Sequence, residues 1–247
     1  MEKEIEWLLR EKYNGKSTKQ FYKDIERLKM GEPLDYVIGF AEFLGCKIDL
    51  SCKPLIPRPE TEYWVGKVIE ELKLAKGKMQ ILDIFSGSGC IGISIMRHIK
   101  NANIVFAEKD KKYVKQIKIN TKINKLPSRR YKIIQSDVFN NIKGKYDYIL
   151  ANPPYISTKR ANKIQKSVLQ HEPRVALFGG EDGLSLIRRF LAAAKNRLTP
   201  NGKIYMEFDY VQKKDIEKLL QKFGYKNYQF HKDQYGRARY VVIENKI

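Results

Sequence analysis

The chain is poor in the residues that build covalent and metal frameworks. Cys46, Cys52 and Cys90 are its only cysteines, odd in number and without metal-like spacing, so reduced thiols are expected. His98, His171 and His231 are scattered and make no ligand set, so no metal is expected. No apolar run approaches the length of a membrane span, and Met1-Glu2-Lys3-Glu4 does not open a signal peptide. A cytoplasmic protein without a membrane partner is therefore expected. Acid is scarce relative to base, with 28 Asp and Glu against 48 Lys and Arg, a net charge of +20. The excess is spread through stretches such as Lys109-Asp110-Lys111-Lys112, Arg129-Arg130 and Lys213-Lys214. Ordinary solvated faces are the first reading of this spread, and weak contact with RNA the second. The Gly-x-x-x-x-Gly-Lys-Ser/Thr pattern of a phosphate-cradling loop is missing as well.

What is present is a regular alternation of short apolar runs and helical periods. Glu4–Lys12 and Thr18–Lys29 read as helices broken at Asn14-Gly15, and Val37–Leu50 alternates like a small hairpin with Gly45 near its turn. Pro54–Pro59 reads as a linker. Strands are expected at Met79–Phe85, Ile104–Ala107, Ile133–Phe139, Tyr148–Leu150 and Lys203–Phe208, the last after a turn at Thr199-Pro200-Asn201-Gly202. Helices are expected at Cys90–Ile99, Lys111–Asn124, Ser185–Leu198 and Val211–Phe223, with Tyr228–His231 and Tyr240–Glu244 as a closing antiparallel pair. Such alternation predicts an α/β, doubly wound, mainly parallel sheet covered on both faces. Tyr205, Phe208, Phe223 and Tyr240 are expected in its core.

In such a sheet ligands bind at the carboxyl ends of the strands, and several ends here carry chemistry. The first is Asp83-Ile84-Phe85-Ser86-Gly87-Ser88-Gly89, where Gly-x-Gly lets the backbone turn tightly and approach a ligand. The second ends in Glu108, placed to accept from ribose hydroxyls, although an isolated strand-end glutamate is more often simply solvated. An acid before the turn and the lack of a third glycine disfavour a pyrophosphate. They suit a single nucleoside with a positively charged tail, such as S-adenosylmethionine. The third end, Ser136-Asp137-Val138-Phe139, offers an acidic tip and an apolar residue suited to adenine. The fourth is Asn152-Pro153-Pro154-Tyr155. Prolines there forbid continuation of the strand, restrict the residues before them and bring carbonyls without N–H donors. The resulting stiff rim suits a planar NH2 group held by Asn152 Oδ1 and the Pro153 carbonyl, with Tyr155 stacked on it.

These motifs resemble the class I S-adenosylmethionine methyltransferases that act on amide or amino nitrogen. Asn-Pro-Pro-Tyr alone does not choose between a glutamine amide and an adenine amine. Pro33–Gly39, Pro54–Glu62, His171–Leu177 and Gly179–Leu184 resemble the protein-(glutamine-N5) methyltransferases that modify the Gly-Gly-Gln glutamine of peptide chain release factors. The resemblance runs from about Glu32 to the C-terminus. It implies a seven-stranded Rossmann-like sheet with a reversed last strand, and divides the chain into a shortened helical segment at 1–31, a hairpin and linker at 32–53, and a methyltransferase domain at 54–247. It also implies that Phe85, Ser86, Gly87, Ser88, Gly89, Glu108, Val138 and Asn152 contact S-adenosylmethionine. Asn152, Pro153, Pro154 and Tyr155 would then hold the substrate, with Asn152, Pro153 and Tyr155 catalytic. Phe85 and Ser86 stand where the family commonly has glycine and threonine.

On this reading the tasks are orientation and exclusion of water, and no general base is assigned. Arg58 is placed either to close the cofactor pocket or to meet the substrate backbone, or is a solvated loop arginine. For Glu172 and Arg174 the plain alternative to a site role is that they pair with each other. Two other readings compete. One keeps the chemistry and changes the substrate to a ribosomal-protein glutamine or a nucleic-acid adenine, and the other is a basic RNA-binding protein on an inactive scaffold. The intact Gly87-x-Gly89 and Asn152–Tyr155 motifs speak against the last.

Overall fold

The computed structural model describes residues 1–246. The chain opens with helices α1 (Glu2–Tyr13), α2 (Lys19–Lys29) and α3 (Leu34–Ile38), then a hairpin of β1 (Phe40–Phe43) and β2 (Cys46–Asp49). Helix α4 (Pro59–Leu72) leads into β3 (Met79–Ile84), α5 (Cys90–His98), β4 (Ala102–Glu108), α6 (Lys111–Ile123), β5 (Tyr131–Gln135) and β6 (Tyr146–Ala151). Short helices α7 (Lys166–His171) and α8 (Arg174–Leu177) precede α9 (Ser185–Ala194), β7 (Leu198–Glu207) and α10 (Lys213–Lys222). Strands β8 (Asn227–Lys232) and β9 (Ala238–Glu244) close the chain.

The main sheet has seven strands in the order β5-β4-β3-β6-β7-β9-β8. Strands β5, β4, β3, β6 and β7 are parallel, and β9 runs antiparallel to both of its neighbours. The carboxyl ends of the parallel strands therefore meet at one edge. Central β3 is buried at every position but Gln80 because helices cover both faces. On one face Trp64, Val65 and Val68 of α4 pack with Ile91, Ile93 and Ile95 of α5. On the other, Phe190 and Leu191 of α9 pack with Ile216 and Leu220 of α10. Gly92 brings α5 against β4, and a Cβ there would lie 2.4 Å from Phe106 Cε1.

The first helices own a separate cluster of Leu8, Phe21, Leu28 and Val37. Asp24 is buried beneath it and accepts from Lys12 Nζ at 2.7 Å, Tyr13 Oη at 2.7 Å and Arg27 at 2.8 Å. Burial pushes this carboxyl upward, but those hydrogen bonds outweigh it and hold its pKa at about 2. The hairpin docks on α6, where Asn120 Oδ1 accepts from Asp49 N at 2.8 Å and Gln116 Oε1 accepts from Cys52 N at 2.8 Å.

Several boundaries differ from those read in the sequence. Helix α4 directly follows residues 54–58, where only a linker is expected, and buries Trp64, Val65, Val68 and Leu72 at helical spacing. The hairpin begins after α3, which is closed by Gly39 at φ 99°. Thr199–Gly202 is no free turn but a register jump inside β7: Tyr146 pairs with Leu198 and Tyr148 with Lys203, while Asn201 takes φ 62°. The strand read as Ile133–Phe139 stops at Gln135, and Val138, three residues on, adopts φ 51° outside extended geometry. Helix α9 ends at Ala194, short of Leu198. Tyr205, Phe208 and Tyr240 are buried, whereas Phe223 only flanks the core.

Candidate functional site

A cavity of about 540 Å³ opens at the carboxyl edge of the sheet. Its floor is the turn between β3 and α5. Ser86 Oγ donates to the Asp83 carbonyl at 2.7 Å, and Gly87 N donates to Glu108 Oε2 at 2.8 Å. That second bond ties the turn to the end of β4, and Glu108 Oε1 accepts from Asp110 N at 2.8 Å. Gly89 caps α5 at φ 80° and lies against Ile93 and Ile117, where a side chain would crowd them. Phe85 takes φ 61°, a backbone region that disfavours side chains, and its ring packs 6.1 Å from Phe190.

Phe85, Ser86, Gly87, Ser88, Glu108, Val138, Asn152 and Pro154 line the cavity; Gly89, Pro153 and Tyr155 do not. Phe139 also faces away, stacking on Phe190 at 5.6 Å, so the apolar wall at the end of β5 falls to Val138.

The electrostatics of the floor are negative. Asp83 is fully buried; Oδ2 accepts from Gly92 N at 2.9 Å, but Oδ1 has no partner among the described residues. Burial, reinforced by the nearby Glu108 charge, pushes the Asp83 carboxyl up to about 7. Burial raises Glu108 too, against the pull of the backbone N–H groups that it accepts from. A positively charged ligand would relieve both, and Glu108 keeps lone pairs for vicinal hydroxyls. The site therefore fits a cationic nucleoside and opposes a polyanion. Cys90 lines the same cavity, but burial pushes its thiol up to about 12, which removes it as a nucleophile.

Asn152 follows β6 directly. Its Nδ2 donates to Thr61 Oγ1 at 3.1 Å, which leaves Oδ1 available as an acceptor. Thr61 donates to Glu207 Oε2 at 2.7 Å, Trp64 Nε1 donates to the same oxygen at 2.7 Å, and Tyr155 Oη donates to Glu207 Oε1 at 3.0 Å. Glu207 ends β7, beside β6, and is buried. Sequence reading missed both Glu207 and Thr61. The signal for Glu207 was an acid closing the apolar run Ile204-Tyr205-Met206, the pattern that singled out Glu108. Tyr155 is turned into this network, with its ring against the second apolar cluster.

A strap ties two walls of the cavity together. Glu172 Oε1 accepts from Arg58 at 2.5 Å, and its Oε2 accepts from Ile56 N at 3.2 Å. This joins the segment before α4 to the segment before α8, and Ile56, Arg58, Val175 and Phe178 all line the cavity. The Glu172–Arg174 pair does not form. Arg174 lies over the Phe178 ring at 4.8 Å instead, and Arg58 takes the carboxylate.

Comparison with known proteins places this geometry. Residues 67–181 match the family model "Methyltransferase small domain". A release factor glutamine methyltransferase of Lactococcus lactis is 35% identical over 97% of this chain and 88% of its own length. The Streptococcus pneumoniae protein of the same name is 34% identical over 96% and 84%. Among solved structures, the T. thermophilus 16S rRNA N2 G1207 methyltransferase, in complex with AdoMet and guanosine, superposes with a TM-score of 0.58. It is 20% identical, over 84% of this chain and 50% of that one, a likeness of fold.

Proposed function

The chain belongs to the release factor glutamine methyltransferase family, and from that premise we infer how its own residues perform the transfer. It is an S-adenosylmethionine-dependent enzyme that methylates the side-chain amide nitrogen of a release factor glutamine. We place the modified residue in the Gly-Gly-Gln motif. The observation that carries the amide reading is Asn152, held with its NH2 turned away and its oxygen free beside two prolines without N–H groups. A nucleic-acid adenine or a ribosomal-protein glutamine would offer the same NH2, but the relatives' names favour neither.

For the cofactor, Glu108 would accept from the ribose hydroxyls, Val138 would lie against the adenine, and the turn from Phe85 to Gly89 would approach the amino-acid tail. Asp83, raised to about 7 by burial and with Oδ1 unpartnered, would ionise more readily with that cationic tail in place. When bound, S-adenosylmethionine supplies a methyl group on a positively charged sulfur. The protein supplies orientation. Asn152, on the cavity wall, would accept through Oδ1 from one glutamine N–H. The Pro153 carbonyl could take the other only if substrate reaches past the cavity lining, and together they would fix the amide plane and favour positive charge as it builds on nitrogen. No base is assigned, because an amide that has gained a methyl is a strong acid and gives its proton to water. Residues 54–58 and the segment joined to them by Glu172 would keep solvent out.

Every residue lining the cavity lies between Leu55 and Leu186, which supports assigning the transfer to 54–247, with 1–31 and 32–53 as accessory segments. No acid occurs between Lys111 and Ser136, and the exposed Lys115, Lys118 and Lys122 share one side of α6. That face supports weak, salt-sensitive contact with RNA. No helix among the described residues is long and apolar enough to cross a membrane. A cytoplasmic location belongs to the same proposal, since the substrate is a factor of translation.

The test is transfer of labelled methyl to purified release factor, alongside a copy whose Gly-Gly-Gln glutamine is alanine. Label on the first alone is expected. Label on RNA or ribosomes instead would overturn the substrate.

A further inference from the structure

We propose that Glu207 and Thr61 form a polarity relay that dictates which end of the Asn152 amide faces the substrate. The inference rests on the amide-methylation reading above and adds two positioning residues to it.

The relay follows from counting protons. Thr61 has one hydroxyl hydrogen, and it goes to Glu207 Oε2 at 2.7 Å. Its oxygen can then only accept from Asn152, so the Asn152 group at 3.1 Å must be the NH2. With NH2 consumed inward, Oδ1 faces outward as an acceptor for the substrate N–H. An amide freed from this constraint turns about its last torsion at little cost, and half of its orientations would set NH2 against NH2.

Glu207 is well placed to hold the first link. It is 1% exposed, and Thr61 and Trp64 are 2% and 0% exposed, so water does not compete for these bonds. Trp64 Nε1 and Thr61 donate to one carboxylate oxygen and Tyr155 to the other. Every side chain at this carboxylate is thus a donor. Burial raises the Glu207 pKa, and the Trp64, Thr61 and Tyr155 donors pull it back towards the acceptor form. The same carboxyl anchors Tyr155, so both ends of the Asn-Pro-Pro-Tyr rim are referred to one buried group.

The chemistry separates variants that look alike. Thr61→Val keeps the shape and removes both links. Thr61→Ser keeps both. Glu207→Gln retains an oxygen for Trp64 and Thr61 by turning its NH2 to Tyr155 Oη, which then accepts, so the relay survives. Glu207→Leu leaves Thr61 without an acceptor.

The experiment measures methyl transfer to release factor, cofactor affinity, and binding of Gly-Gly-Gln and Gly-Gly-Glu peptides in the presence of S-adenosylhomocysteine. For Thr61→Val, kcat is expected to fall on the order of 100-fold, the scale of a misoriented reacting group. Cofactor affinity should stay within a few-fold, and Thr61→Ser should recover most of the rate. The peptide ratio is the reading that packing damage alone would not move. A freed Asn152 presents NH2 to a carboxylate, so preference for Gln over Glu should shrink by tenfold or more. Glu207→Gln should remain within about tenfold of wild type, well above Glu207→Leu. An unchanged peptide ratio in Thr61→Val, or loss of both peptides together, overturns the relay. Wild-type protein that fails to label release factor overturns the substrate reading instead.

Discussion

Phe85 sets two costs against each other, and replacing it by alanine and by glycine separates them. Its φ of 61° costs a side-chain-bearing residue about 1–2 kcal/mol. Its half-buried ring packs 6.1 Å from Phe190 and faces the cavity. Full truncation of a buried phenylalanine costs about 3–5 kcal/mol, so this partly covered ring is worth roughly 2. Phe85→Ala loses that contact and keeps the strain. Phe85→Gly loses the contact, is released from the strain, and forfeits about 0.4–1 kcal/mol through a more flexible unfolded chain. Glycine should therefore be the more stable of the two by roughly 0.5–1 kcal/mol, the reverse of the order within a helix. Urea titration followed by fluorescence resolves that gap at constant slope. Alanine equal to or above glycine would refute the account, because the positive φ would then carry no strain in the folded protein.

Other sites yield sharper losses. Asn152→Ala should reduce transfer by about 10²–10³-fold while cofactor affinity by calorimetry changes far less; parallel loss of both would make Asn152 a cofactor residue first. Gly92→Ala should destabilise by about 1–3 kcal/mol in the same urea assay, because its Cβ meets Phe106 at 2.4 Å. Glu172→Gln keeps an acceptor for Ile56 N but loses the charge that holds Arg58, so cofactor should dissociate several-fold faster in stopped flow; equal rates would mean that the strap does not close the mouth. Asp24 has a depressed folded pKa of about 2 against 3.8, so its contribution is complete above pH 3.8 and lost as pH falls towards 2. Hydrogen exchange of α1 and α2 should accelerate over that window, and Asp24→Asn should remove its contribution to the pH dependence.

The strands were legible because a parallel sheet covered on both faces requires continuous apolar runs, and each was punctuated by glycine, proline or charge. Helix α4 was missed although Trp64, Val65, Val68 and Leu72 recur at helical spacing, because the prolines before it read as linker. Pro59 in fact occupies the helix's first turn, where its missing N–H has no cost. The positive φ values of Phe85 and Val138 had no signature in residue type. Glu207 and Thr61 were hidden for a different reason. Their meaning depends on β7 pairing with β6 and on the first turn of α4 meeting the ends of both, and 146 residues separate the two.

That distance follows from the rim itself. Pro153 and Pro154 stop the strand and expose carbonyls, but they also remove two N–H groups that could have steadied a neighbouring side chain. The asparagine beside them must be held through its own NH2 by an acceptor from elsewhere. A hydroxyl can either donate or accept, so it sets one polarity when its single proton is committed elsewhere, as a buried carboxylate commits it here. In this chain Thr61 is the acceptor for the Asn152 NH2 and Glu207 takes the Thr61 proton, each brought to the rim from a distant segment.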